Sequence, residues 1–210
     1  MPVAPVQPGK RDKERRRRSL IEAATAVFAE HGYDAATTRE VAERAGCSEG
    51  LIHRYFGGKH GLLLSIMQSK AAGVLEDLGS GLPDRDTVAA EIEQILLWHL
   101  TCLWDYSDFI SVAVSRATID PVIGRTVGES INQQRVSLIL DRLRRHREAG
   151  RIRKEVDLEA VAEVVAGIGL MLGFFGQVVF GMDRERVQHI AIESAAALSR
   201  GIAAGTAVQA

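Results

Sequence analysis

"TTREVAERAGCSEGLIHRYF", residues 37–56, is the stretch on which the fold turns. Thr37 and Glu40 form a capping box: the threonine hydroxyl accepts the N3 amide, and the glutamate reaches back to the cap's own N–H. Val41, Ala42 and Ala45 supply a short apolar face before Gly46 breaks the run. Ser48 offers a second cap, and Leu51, Ile52, Tyr55 and Phe56 form the expected inner edge of the helix that follows. Two short helices, 37–45 and 48–56, joined by a tight turn, have the spacing of a helix-turn-helix, whose second helix enters the DNA major groove. Plain bundles contain similar pairs, so local chemistry has to separate the two.

Outward from this pair the chain is helical throughout, with no strand-like alternation. Leu20, Ile21, Ala24, Val27 and Phe28 share one face of a helix ending near Gly32. Lys59 opens a helix with Leu62, Leu63, Ile66 and Met67 on its apolar side, running to the break "GSGLPDRD". Asp86 is the expected cap of a helix ending near Asp105. Asp120-Pro121 starts a long one, since proline at the first position has no amide to leave unsatisfied, and Gly150 ends it. Asp157 caps the next, and Asp183 or its neighbours start the last. The expected organisation is a flexible basic arm (1–14), a helix-turn-helix domain (15–60), a helical effector-binding and dimerisation domain (61–203) and a flexible tail (204–210).

Charge is distributed unevenly. The whole chain has 26 basic and 27 acidic groups, yet residues 10–18 carry seven positive charges against Asp12 and Glu14. Such a run can follow phosphates in a salt-dependent way. Lys59 stands in a first helical turn, where the macrodipole disfavours a cation and a phosphate would be welcome. Gly50 costs a helix about 1 kcal/mol relative to alanine, which suggests that bulk is unwelcome there. Two cysteines, Cys47 and Cys102, lack disulfide-scaffold or zinc spacing and fit a reducing compartment. Residues 164–182 form an apolar stretch of membrane-spanning length. Its five glycines and basic flanks on both sides favour a core helix.

Residues 20–63, with the order "AA…F…GY…TT…VA…AG.S.G…YF..K..LL", resemble the DNA-binding domain of the tetracycline-repressor (TetR) family of bacterial transcriptional regulators. Residues 149–174 are more weakly similar to the junction before the dimer-forming helices of many members. The resemblance implies DNA contacts by Thr38 and Arg39 from the second helix, by Ser48, Glu49, Gly50, His53, Arg54 and Tyr55 from the recognition helix, and by Lys59 on a phosphate, with Phe56 in the core. Departures at Leu51, His53 and Gly58, where the family usually has a small or polar residue, tyrosine, and Asp or Ser, bear on sequence preference. Glu49 could accept from cytosine N4 and Leu51 touch a thymine methyl, although a carboxylate in the first turn also suits the dipole.

The same resemblance implies an inducer pocket drawn from Trp98, His99, Cys102, Leu103, Phe109, Met171, Phe174, Phe175 and Gln177, with His99 or Gln177 as its polar anchor. Glycines 167, 169, 173 and 176 and alanines 191, 195, 196 and 197 indicate close helix packing, which the resemblance assigns to a two-fold dimer bundle. "RLRRHREAGRIRK", residues 142–154, is expected to be a solvated face.

The expectation is therefore an all-α, cytoplasmic homodimer that binds a double-stranded DNA operator and a small, mostly apolar effector. A repressor is the first reading; an activator with the same head, or a membrane-attached protein through residues 164–182, is the alternative. "GGKHG" is not a phosphate-binding loop and no catalytic pattern occurs. No enzyme activity, cofactor or metal is expected; His99 and Cys102, spaced i, i+3, lack the further ligands of a metal site.

Overall fold

A computed structural model describes residues 10–204, and its contacts divide the chain into two compact units after Lys70. Among the described residues the structure is helical, apart from one isolated bridge between Ile152 and Ala203. The helices are α1 (Lys10–Ala35), α2 (Thr38–Arg44), α3 (Gly50–Phe56), α4 (Lys59–Glu76), α5 (Val88–Asp105), α6 (Ser107–Ala117), α7 (Pro121–Arg125), α8 (Gln133–Glu148), α9 (Leu158–Leu170) and α10 (Arg184–Ile202). Three π-helical segments, π1 (Asp77–Gly81), π2 (Thr126–Asn132) and π3 (Met171–Val179), follow α4, α7 and α9.

In the N-terminal unit, Leu20, Ala24, Val27 and Phe28 of α1 are buried, as are Val41, Ala42, Ile52, Leu62, Leu63, Ile66 and Met67. Gly32, at φ +74 and ψ 158, breaks α1 where an L-residue would be strained. Residues 10–14, expected within a flexible arm, are helical and extend α1; the rest of that arm and residues 205–210 of the expected tail lie outside the described residues. The unit also runs past the expected boundary at residue 60, because α4 carries four of its core side chains on one uninterrupted helix.

The core of the C-terminal unit is built on α5, which packs on α9, π3 and α10. Ile92, Ile95, Leu96 and Leu100 are buried there with Ile139, Leu143, Ala162, Val165, Val187 and Ala191. Thr87 caps α5, its hydroxyl accepting from Ala90 N at 3.1 Å, in place of the expected Asp86. Asp120, Asp157 and Asp183 cap α7, α9 and α10 as expected. The long helix from Pro121 is continuous to Glu148 but widens through π2, and Gly150 ends it in the left-handed region at φ +70. Gly169 and Gly173 face inward: a Cβ would stand 2.8 Å from the His99 ring in the first case and 2.6 Å from Leu103 in the second. The small residues thus let the α9–π3 run approach α5. That run is long and apolar enough to cross a membrane, and 44% of its apolar window is buried inside the unit.

Candidate functional site

The capping box on α2 is formed: Glu40 N donates to the Thr37 hydroxyl at 3.2 Å, and Thr37 N donates to the Glu40 carboxylate at 2.7 Å. These Thr37 donors hold the Glu40 carboxyl below its ordinary range. At the far end, Arg44 grips Glu30 of α1 through two hydrogen bonds of 2.6 and 2.7 Å, which fixes α2 against α1. The turn follows through Gly46, at φ +63, and Cys47 N bonds back to Ala42 O at 3.0 Å.

The expected Ser48 cap is not made. The N-cap of α3 is Glu49, whose backbone is already helical at φ −56 and ψ −33, and no side chain caps the helix. Leu51 N instead bonds the Ser48 carbonyl at 3.0 Å, a tight first turn that needs no hydroxyl. The Glu49 carboxylate accepts a short hydrogen bond from the Thr38 hydroxyl, linking α2 to the start of α3.

Ile52 is the one buried residue of α3. Ser48, Glu49, Gly50, His53 and Arg54 are exposed, as is Arg39 on α2, while Thr38, Tyr55 and Lys59 are half-buried. Arg39 pairs with Glu43 at 2.9 Å. A Cβ at Gly50 would meet nothing within 4 Å, so the fold itself does not demand glycine there. Phe56, expected in the core, is half-buried; Arg17 of α1 lies 5.4 Å over its ring and Tyr55 meets it edge-on at 6.3 Å. Leu51, expected on the inner edge, lines a groove with Arg16, Ser19, Cys47 and Ser48. Burial pushes the Cys47 thiol up, opposed more weakly by Arg16.

Gly57 ends α3 at φ +74. At Gly61 a Cβ would stand 1.7 Å from the Phe56 carbonyl oxygen, so only glycine lets α4 start so close to α3. Lys59 donates to the Asp34 carbonyl at 3.0 Å and lies 4.6 Å over the Tyr33 ring. Its place at the helix start therefore has an account within the protein as well as the expected phosphate. Arg11, Lys13, Arg15, Arg16 and Arg18 are exposed along the first turns of α1, giving the unit a cationic helix end.

In the C-terminal unit, Trp98, Cys102, Leu103, Phe109, Phe175 and Gln177 are half-buried, and His99 and Phe174 are buried. Met171, expected among the pocket residues, is 49% exposed and stands instead with Val164 on the outer face of the α9–π3 run. Two polar groups with buried atoms were not among the expected site residues. Arg135 of α8 has its Nε buried without a partner. Glu91 of α5, 1% exposed, accepts from Arg142 Nε and lies 3.4 Å from His146 Nε2. Arg142 also donates to the Leu82 and Pro83 carbonyls at 3.2 and 2.9 Å, so the "LPD" strap is fastened to the interior. The expected solvated face of residues 142–154 is thus corrected at Arg142 and His146. They share a helix face with Ile139 and Leu143 by i, i+3, i+4, i+7 spacing, a phase readable in the sequence.

The family model for bacterial regulatory proteins, tetR family, matches residues 20–66, which hold the α2–turn–α3 geometry. The chain is 26% identical over 178 residues to the HTH-type transcriptional repressor AcnR of Corynebacterium diphtheriae, covering 83% of this chain and 87% of that protein. Two solved structures share the fold across both units. A TetR-family transcriptional regulator from Pectobacterium atrosepticum superposes with TM-score 0.67 at 19% identity, covering 93% of this chain and 98% of the other. The transcriptional regulator FadR from Bacillus subtilis, in complex with stearoyl-CoA, gives TM-score 0.69 at 18% identity, covering 85% and 96%.

Proposed function

We propose that this chain, whose residues 20–66 match the family model for bacterial regulatory proteins, tetR family, is a homodimeric transcriptional repressor of that family, released from a palindromic operator by a small, mostly apolar effector. The observation that carries this reading is the face of α3. It offers Gly50, His53 and Arg54 to solvent, at a helix whose single buried anchor is Ile52, and a Cβ at Gly50 would meet nothing within 4 Å.

In this reading α3 lies in the major groove with Glu49, Gly50, His53, Arg54 and Tyr55 toward base edges and backbone. Thr38, Arg39, Ser48, Lys59 and the cationic start of α1 meet flanking phosphates. A two-fold dimer would set two such helices on one operator. The exposed apolar residues Val164 and Met171 of the α9–π3 run and Ile192 of α10 support a dimer seam there, in place of a membrane-attached role. A FadR structure of the same fold was solved with stearoyl-CoA, which supports effector binding in the helical unit. Effector binding would shift the population between DNA-competent and incompetent states. The protein then works in the cytoplasm.

The test begins with genomic fragments retained by the full chain. His53→Ala and Lys59→Ala should weaken binding to a selected operator while the folded helical content persists, His53→Ala mainly at the operator. Unchanged binding by both variants removes this docking mode. A reporter behind the operator that rises when the protein is withdrawn identifies a repressor; one that falls identifies an activator.

A further inference from the structure

His99 and Arg135 bring two unsatisfied hydrogen-bonding groups into one neighbourhood of the C-terminal unit. His99 is 2% exposed on α5, and neither ring nitrogen has a hydrogen-bond partner. The Ile95 carbonyl one turn back favours the protonated ring without reaching bonding geometry. Burial, with the Arg135 charge second, pushes the ring's pKa down to about 3, so the imidazole is neutral. It keeps one N–H to donate.

Arg135 is the stronger clue. Its Nη2 donates to the Asn132 side-chain oxygen at 2.5 Å, a neutral acceptor, and its Nε is buried with no acceptor. Among the described residues it makes no ion pair; Glu163 on α9 favours its charge only through space, and burial disfavours that charge more. Two turns further along α8, Arg142 shows how this fold satisfies a buried guanidinium: a carboxylate on Nε and backbone carbonyls on both terminal nitrogens. Arg135 has the donor geometry without the carboxylate. Buried polar groups are nearly always paired, so two unpaired ones in one neighbourhood need an explanation, and a bound polar head group supplies one.

The surroundings suit such a group. Asn132 closes π2, and π-helical turns inside longer helices are frequent at functional sites. Phe109, Ile110 and Val112 of α6, which packs on α5 and π3, add half-buried apolar surface on the same side of α5 as π3.

We propose that Arg135 and His99 form the head-group subsite of the effector, and that the effector is an apolar molecule ending in a carboxylate. Two carboxylate oxygens accept from Arg135 Nε–H and the His99 N–H, completing the pairing that Arg142 already has from Glu91. One guanidinium beside a neutral imidazole balances one negative charge, which favours a carboxylate over a doubly charged phosphate monoester. The unpaired cation rejects quaternary ammonium ligands of similar size. This inference rests on the reading of the C-terminal unit as an effector domain.

The test uses melting of the full chain with octanoate, 1-octanol or octyltrimethylammonium, in wild type and Arg135→Met. In wild type octanoate should raise the melting temperature more than either other probe, and in Arg135→Met that excess should vanish. Arg135→Met without any probe should melt roughly 2–4 °C above wild type, because a half-buried cation with no ion-pair partner and an unsatisfied Nε has been removed. An octanoate shift no larger than that of octanol, or one that persists in Arg135→Met, overturns the proposal. So does a variant that melts below wild type, which marks Arg135 as structural. None of these melts involves DNA: failure of the wild-type chain to retain genomic fragments strikes the regulator reading instead.

Discussion

The Thr38 hydroxyl donates to the Glu49 carboxylate across the helix-turn-helix. Two residues that the sequence offers as separate DNA contacts therefore hold one another in the free protein, and the bond leaves Glu49 with a second oxygen to offer a base. Glu49→Gln keeps an acceptor for Thr38 but removes the charge. Affinity for scrambled DNA should rise, since a phosphate-repelling group is gone, while preference for a cytosine-bearing operator falls roughly tenfold. Titrating both fragments at one salt concentration measures the ratio, and an unchanged ratio takes Glu49 out of base readout.

Lys59 has work on both sides of the interface. Its bond to the Asp34 carbonyl and its place over the Tyr33 ring tie the start of α4 to the end of α1. Lys59→Ala should cost about 1 kcal/mol of stability. It should also weaken operator and scrambled DNA equally, with the slope of log affinity on log salt shallower by about 0.9 if one phosphate contact is lost. Loss confined to the operator would mean that Lys59 reads sequence or shapes α3 instead.

Local patterns carried much of this architecture. The capping box at Thr37, proline after Asp120, and glycines at 32, 46 and 150 each act within one or two turns, so each was legible along the chain. Long-range pairings were not. Arg142 reads as one more cation in "RLRRHRE" until Glu91, fifty-one residues earlier, is set beside it. Arg135 gave no sign of its isolation, because an absent partner leaves no trace in sequence. The misplaced caps at Ser48 and Asp86 share one cause: either of two adjacent residues can start a helix, and backbone angles decide between them.

His99 makes stability depend on pH in a defined direction. Unfolded, the ring protonates near its ordinary value of 6.5; folded, it resists until about pH 3. Between those values the unfolded state binds the extra proton, so stability falls as pH drops through that window and is fully present above it. From pH 7.5 to pH 5 the loss from this group is about 2 kcal/mol. Denaturant melts of wild type and His99→Asn at the two pH values isolate it: the variant starts from its own lower stability but should show a difference smaller by that amount. Equal differences mean that the ring titrates normally in the folded chain.

Three of the four glycines of the α9–π3 run serve close packing inside the unit. Gly169 and Gly173 admit His99 and Leu103, and Gly176 lies against Met182 and Val187, so they are committed within one chain. What the α9–π3 run presents outward includes Val164, 47% exposed, and Met171, 49% exposed, with Ile192 on α10 at 39%. Apolar side chains spaced one to two turns apart on exposed helix faces are what an obligate interface covers. Val164→Lys places a charge in that seam without touching the core, so the chain should stay folded while the dimer dissociates. By sedimentation, wild type should run at twice the 22.8 kDa chain mass and the variant near it. Operator affinity should collapse in the variant, because two linked half-sites become two weak independent ones, while binding to an isolated half-site persists. A Val164→Lys chain that still sediments as a dimer moves the seam elsewhere, and a wild-type chain retained by membranes after a high-salt wash gives this apolar face to lipid.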